Sequence, residues 1–312
     1  MANNFTTTDD GVSDYVEYLC ETDFPAITGP AFILIFIISV IGNVLLLCAL
    51  FIYENLKSVT NIFILNLACS DLTFTVTLPF WATDHLHHWV FGDFVCKFMT
   101  AAYFVGLYSS VILLTAMTVD RFIKVVLHKW PSNLERKRYA AGACIAAWVI
   151  SISASLSDAM KVKVENWDDV NYCETGFDDK LEYYLQVSLL FFFPFAIITF
   201  CYAAILKTVL QGLNRKKHRT VAALLCIVVV FFICWGPYHI LLLIKSLYTP
   251  KGCKAQERFD IAYHICEILA YSHCCMNPLL YMLSQKVQKH LLKVLQCKNV
   301  CRKNQESSTC SK

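Results

Sequence analysis

The chain is short of charge. Only 16% of its 312 residues are Asp, Glu, Lys or Arg, against about 25% in an ordinary soluble domain. The shortage is uneven as well. Residues 1–26 hold no Lys or Arg, and the stretch from Lys207 to Arg219 holds no acid. HExxH and GxSxG motifs are missing, which leaves an intramembrane enzyme without support. Linkers, low-complexity segments and internal repeats are missing too, so no second domain is expected. A transporter built from inverted repeats would show two halves with matching interrupted helices, and their lack counts against that class. Residues 1–26 lack the apolar centre of a cleavable signal peptide, so the first long apolar run is expected to direct insertion.

What the chain has is apolar length. Hydrophobic residues make up 57% and the mean hydropathy is +0.50. Seven runs carry most of it: Ile27–Ile52, Ile62–Thr83, Phe98–Val119, Tyr139–Leu156, Tyr183–Leu206, Val221–Ile244 and Ile261–Leu283. Most reach the ~20 residues that an α-helix needs to cross a hydrocarbon layer about 30 Å thick. An all-α membrane protein is therefore expected, a bundle of seven transmembrane helices over residues 27–283. Asp71 and Glu267 stand inside runs as isolated charges. Charge is costly in lipid, so both are expected to face the bundle interior and to mark function.

Lys and Arg decide the orientation. Residues 1–26 carry Asp9, Asp10, Asp14, Glu17, Glu21 and Asp23, an acidic arm. Lys124, Lys129, Arg136, Lys137 and Arg138 follow run three, and Lys207, Arg215, Lys216, Lys217 and Arg219 follow run five. The tail, residues 284–312, has several Lys and Arg against the single acid Glu306. Positive charge gathers on the cytoplasmic side, which puts the N-terminus outside and the tail inside. The net charge of +3 thus covers two faces of opposite sign, and nucleic acid is not an expected partner.

Of sixteen cysteines, Cys20, Cys96, Cys173 and Cys253 fall in the outer segments, where disulfides persist. Four cysteines permit three pairings, and spacing alone does not choose among them. Those within the runs are expected to be small apolar packers. Cys297 and Cys301, in the basic stretch beyond the last run, are candidates for palmitoylation, with a reduced thiol as the alternative. Asn4-Phe5-Thr6 is a glycosylation sequon on the outer arm. His85, His87 and His88 are read as solvated loop histidines in preference to a zinc site.

Short motifs narrow the class. Gly42-Asn43, Leu67-Ala68-Cys69-Ser70-Asp71, Asp120-Arg121-Phe122, Trp148, Pro194 with Tyr202, Cys234-Trp235-Gly236-Pro237 and Asn277-Pro278-Leu279-Leu280-Tyr281 occur in order, at least one per run. Together they resemble the rhodopsin-like (class A) G-protein-coupled receptors, over residues 27 to about 295. Thr77-Leu78-Pro79, Trp89 before Phe91-Gly92, and His273-Cys274-Cys275 resemble the chemokine receptors within that family. Tyr53 to Asn61, Lys217 to Val221 and Ser157-Asp158 are most similar to the XC (lymphotactin) branch, whereas Glu267 is the CC-type residue.

The resemblance implies a set of roles. Cys96 would pair with Cys173 and Cys20 with Cys253. A basic chemokine would meet Asp14, Tyr15 and Tyr18 on the arm, the tyrosines standing in a context suited to sulfation, and then Trp81, Trp89, Tyr103, Tyr238, His239 and Glu267 at the bundle mouth. For Glu267, a hydrogen bond to His264 one turn away is the alternative. Trp235, above the hinge at Pro237, would sense the ligand, with Pro194, Val111 and Phe231 as the packed junction. Asp71 would face Ser110, Asn43 and Asn277, either taking a proton or holding a sodium ion with Ser110; no other cofactor is implied. Asp120 would restrain Arg121 until span six swings out, after which Tyr202 and Tyr281, beside Pro278, would offer hydroxyls to Arg121. Partners would be a Gi-class heterotrimeric G protein, arrestin and anionic lipid at the plasma membrane, with calcium mobilisation and chemotaxis as output. A short amphipathic helix would follow span seven. Phe122 replaces the usual tyrosine, and Ile123-Lys124-Val125-Val126 departs from the usual sequence, which keeps a scavenging receptor as a rival. A transporter or channel is the rival from another class.

Overall fold

A computed structural model describes residues 25–53, 58–128, 132–167, 170–175, 180–210, 215–247 and 253–282. Helices dominate: α1 (Pro25–Tyr53), α2 (Val59–Thr75), α3 (Leu78–Leu86), α4 (Gly92–Phe122), α5 (Asn133–Lys161), α6 (Lys180–Leu210), α7 (Arg215–Leu247), α8 (Cys253–Tyr271) and α9 (His273–Met282). They make seven crossings, because α2 with α3 and α8 with α9 are each one crossing broken by a kink. Among the described residues, six crossings are long and apolar enough for a membrane: Ile27–Ile52, Val59–Leu86, Gly92–Leu127, Asn133–Lys161, Phe191–Thr208 and Val228–Lys245. The seventh, α8 with α9, is too polar to qualify on composition, since Glu257, Arg258, Asp260 and Glu267 lie along it. It still closes the ring by packing on α7 and α1.

The burial pattern is that of a protein solvated by lipid. Leu34, at 58% exposed, and Ile145, at 65%, belong to wide apolar faces on α1 and α5. Soluble monomers rarely expose such faces. Inside, by contrast, Ser39, Asn43, Ser70, Asp71, Ser109 and Ser110 are fully buried. They bond across helices: Ser39 Oγ and Thr75 Oγ1 are 2.7 Å apart, and Ser70 Oγ donates to Gly106 O at 2.8 Å.

The kinks have local causes. Pro79 lacks an amide hydrogen, so the helical ladder of span two fails just before it. The Thr77 hydroxyl donates to Phe74 O at 2.7 Å and holds the break between α2 and α3. Span seven turns at Ser272, whose hydroxyl donates to Leu269 O at 2.6 Å. Pro194 and Pro237 lie within α6 and α7.

Span three, α4, is the central element and packs against α2, α5 and α6. Its approach to α2 requires a glycine at 106. A Cβ there would lie 2.7 Å from the Phe74 backbone nitrogen. Trp148 on α5 donates from Nε1 to Asn66 Oδ1 at 3.0 Å and ties span four to span two.

One element was not anticipated from sequence. Strands β1 (Val162–Trp167) and β2 (Val170–Thr175) form an antiparallel hairpin between spans four and five, in register from Val162↔Thr175 to Trp167↔Val170. The amphipathic helix expected after span seven lies outside the described residues.

Candidate functional site

At the hairpin end, the expected bridge between Cys96 and Cys173 is present, with a Cα–Cα distance of 5.7 Å. It fastens β2 to the first turn of α4. Trp89, expected among the ligand contacts, is instead only 1% exposed. Its amide donates to Asn171 O at 2.8 Å and its indole to Gly92 O at 2.9 Å, while Cys96 and Val162 pack on it. Trp89 shapes the mouth from below the hairpin. Asn4, Asp14, Tyr15, Tyr18, Cys20, Cys297 and Cys301 lie outside the described residues, as do the side chains of Cys253, Asn277 and Tyr281.

Glu267 sits below the mouth at 6% exposed. Its Oε2 lies 3.2 Å from His264 Nδ1 and 3.9 Å from His85 Nε2. His85, read as a loop residue, thus belongs to α3 and lies against Glu267. Among the described residues no trio of His, Cys, Asp or Glu is arranged to hold a metal ion. Tyr103 and Tyr238 are buried nearby, and the Tyr238 hydroxyl is 3.1 Å from that of Tyr263. Trp81 lies tilted against Trp89, ring centroids 5.5 Å apart, with its indole nitrogen unpartnered. His239 is buried against Phe191, ring centroids 4.3 Å apart.

A further buried acid escaped the sequence reading, which counted only Asp71 and Glu267 at membrane depth. Asp158 is 0% exposed and accepts from the Tyr108 hydroxyl at 2.7 Å. Helix α5 runs on to Lys161, so Asp158 lies inside the bundle and not beyond its end. The apolar Ala159-Met160 after it was the available signal.

Below the pocket, rings connect Glu267 to Asp71. His85 meets Phe32 at 5.3 Å, Phe32 stacks on Tyr271 at 4.8 Å, and Tyr271 meets Trp235 at 6.1 Å. Trp235 is fully buried and meets His273 at 5.2 Å. His273 Nε2 lies 3.9 Å from Asp71 Oδ1, to which Ser110 Oγ donates at 3.4 Å. Asn43, expected beside Asp71, directs its amide to Ser39 O at 3.1 Å and to Cys274 O at 2.9 Å. The carboxylate and the Ser110 hydroxyl are oxygen donors of the kind a hard cation takes.

At the opposite end, the expected pairing of Asp120 with Arg121 is loose. Arg121 Nε stands 3.9 Å from Asp120 Oδ2, and its guanidinium donates to the Thr60 hydroxyl. Arg136, which the sequence offered only as one more cytoplasmic charge, grips Asp120 at 2.6 and 2.5 Å. The fork geometry of guanidinium on carboxylate explains the preference, since a neighbour on the same helix turn cannot present two donors as squarely. The buried Tyr202 hydroxyl makes no hydrogen bond to Arg121.

The pattern described as 7 transmembrane receptor (rhodopsin family) matches residues 42–281. The chain belongs to that family. Within it, the relatives are chemokine receptors. Human chemokine XC receptor 1 is 38% identical over 86% of this chain and 81% of its own length. The mouse counterpart is 37% identical over 96% and 93%, and guinea-pig C-C chemokine receptor type 3 is 33% identical over 83% and 76%. Of these three, the XC receptors share the higher identity, in line with the motifs around Tyr53–Asn61. The chain is thus a multi-pass membrane receptor of the chemokine group, and the pocket and the Arg121 end are the two ends of a receptor bundle.

Proposed function

We propose that this receptor binds a basic chemokine of XC or CC type at its hairpin end and activates a Gi-class heterotrimeric G protein at its Arg121 end. The observation that carries the reading is the unbroken run of packed groups from Glu267 through Phe32, Tyr271 and Trp235 to His273 and Asp71. A cation entering the pocket would compete with His264 and His85 for Glu267 and shift the Phe32–Tyr271–Trp235 stack. Tightly packed interiors change between discrete arrangements, not by smooth deformation, which makes such a stack suited to a two-state switch. Pro237 supplies the hinge for span six, and Asn277, Pro278 and Tyr281 belong to the part of span seven that would follow it. Outside the bundle, the acidic arm with Asp14, Tyr15 and Tyr18 recruits the ligand and carries glycan on Asn4, while Cys20 and Cys253 join the arm to the bundle. The N-terminus is extracellular, the receptor sits in the plasma membrane, and palmitate on Cys297 and Cys301 anchors the tail. Calcium release and chemotaxis follow activation, and arrestin ends it.

The test is a panel of XC and CC chemokines on cells expressing the native receptor and Glu267→Gln, read by calcium and cAMP. At least one member is expected to signal through the native protein. Removing one partner of a buried charge pair costs about 2 kcal/mol, so Glu267→Gln should raise the half-maximal concentration about 30-fold. Unchanged potency would assign Glu267 to its bond with His264 instead.

Asp71, with Ser110, holds a sodium ion in the resting state. The ion would neutralise the buried carboxylate and favour one packing of the bundle. Sodium should lower agonist affinity in the native receptor, and Asp71→Asn should erase that dependence while surface level stays near normal. A native affinity flat in sodium would reject the ion and leave protonation of Asp71, beside His273, as the switch.

A further inference from the structure

Asp120 has two carboxylate oxygens, and both are occupied by a single partner. Arg136 Nε donates to Oδ1 at 2.6 Å and its Nη2 to Oδ2 at 2.5 Å. Arg121, one residue along α4, is left at 3.9 Å, beyond hydrogen-bond range, and reaches Thr60 instead. The acid that would restrain Arg121 is therefore engaged elsewhere.

Arg136 is held in place for this contact. The Ser132 side chain caps α5 by accepting from Glu135 N at 3.2 Å, which fixes the first turn where Arg136 stands. One turn on, the Tyr139 hydroxyl donates to Ala116 O at 3.1 Å. Between the two helices the chain passes through a π-helical turn, Ile123–Leu127, and leaves it at His128 with φ +52°. Such turns are uncommon and often accompany function. Residues 120 and 136 thus clasp the base of the segment between spans three and four. Phe122 lies inside the clasp with its ring 6.0 Å from Phe200 on α6.

We propose that Arg136 is a positioning residue for G-protein coupling: it holds Asp120 and so keeps Arg121 out of a tight pair with its neighbouring acid. The proposal rests on the G-protein reading above. Without Arg136, Asp120 closes the 3.9 Å gap and captures Arg121. The remaining restraint, the Thr60 hydroxyl, is neutral and weaker than an ion pair.

The experiment measures nucleotide exchange on Gi in membranes, basal and with the panel chemokine that gives the native receptor its largest response. Surface level and chemokine binding are followed in parallel. Arg136→Ala should lower both basal and stimulated exchange at least fivefold with binding unchanged. Arg136→Lys, which keeps the charge but not the fork, should fall between Arg136→Ala and native. Asp120→Asn should not lower exchange, and adding Arg136→Ala to it should produce no further fall, because the acid that captures Arg121 is gone. Should Arg136→Ala fail to reach the surface, Arg136→Lys and the Asp120→Asn pair carry the same comparison. Native-like exchange in Arg136→Ala overturns the proposal, and so does an equal fall in the Asp120→Asn background. A native receptor that binds chemokine and exchanges nothing overturns the G-protein reading and this proposal together.

Discussion

Cys96→Ser or Cys173→Ser should remove most receptor from the cell surface and abolish chemokine binding by what remains. The bridge joins residues 77 apart in sequence, and a loop of that size is worth about 4 kcal/mol in lost freedom of the unbridged chain. That is a large share of the 5–15 kcal/mol, roughly, that holds a typical domain folded. Two hydrogen bonds also fasten the hairpin here: Trp89 N to Asn171 O at 2.8 Å, and Val164 N to Asp93 Oδ1 at 3.2 Å. The second is exposed and contributes little alone. With the bridge gone, β2 can leave the mouth, and Trp89 loses the cover that keeps it dry. Surface staining against total protein, with labelled chemokine binding, reads the effect. The double variant should be no worse than either single one. Native-like binding by Cys173→Ser would mean that the hairpin is held by its hydrogen bonds alone.

The second large effect is at the other end. Arg121→Ala should eliminate G-protein activation while chemokine binding persists, and Phe122→Tyr should change signalling only modestly. Arg121 is mostly buried but its guanidinium is held by one hydroxyl and a distant carboxylate. It can therefore turn to a partner when span six moves, and its fixed fork of donors suits the carbonyls at a protein C-terminus. Phe122 has no hydroxyl to add, and its ring already packs on Phe200 at 6.0 Å. G-protein dissociation and ligand uptake, followed together, separate the outcomes. Uptake without any dissociation by the native receptor, under a chemokine shown to bind it, would make this a scavenger and leave the fold as described.

Much of this was legible before any coordinates. Seven apolar runs located the crossings, and for six of them the reason is that a helix facing lipid is apolar along most of its length, which hydropathy reports directly. The Cys96–Cys173 bridge followed from family resemblance and stands in the structure. What escaped has physical reasons. The hairpin is six residues a strand, and the alternation in Val162-Lys163-Val164-Glu165 is too short to stand out between two long apolar runs. Asp158 escaped because the polar Ser157-Asp158 pair falls just past the fourth apolar run, and the bond from the Tyr108 hydroxyl helps to make its burial tolerable. The partner of Asp120 lay 16 residues away across a loop, where sequence proximity favoured Arg121. A contact set by loop closure leaves no local mark on the chain.

The seam at Gly106 has a mechanical meaning. Spans two and three touch there backbone to backbone, with no room for one extra carbon beside Phe74, and Ser70 bonds straight across to Gly106 O. Two rods pressed that closely and pinned by a hydroxyl cannot slide past each other without breaking the pin. The pair α2 and α4 is therefore held as one piece at the centre of the bundle. Spans five, six and seven carry Pro194, Pro237 and Pro278 inside their helices, and each proline leaves one bond of its helical ladder unmade. Asp71 belongs to the α2–α4 pair and His273 to span seven, so any shift of span seven against that pair would be felt at the 3.9 Å between them.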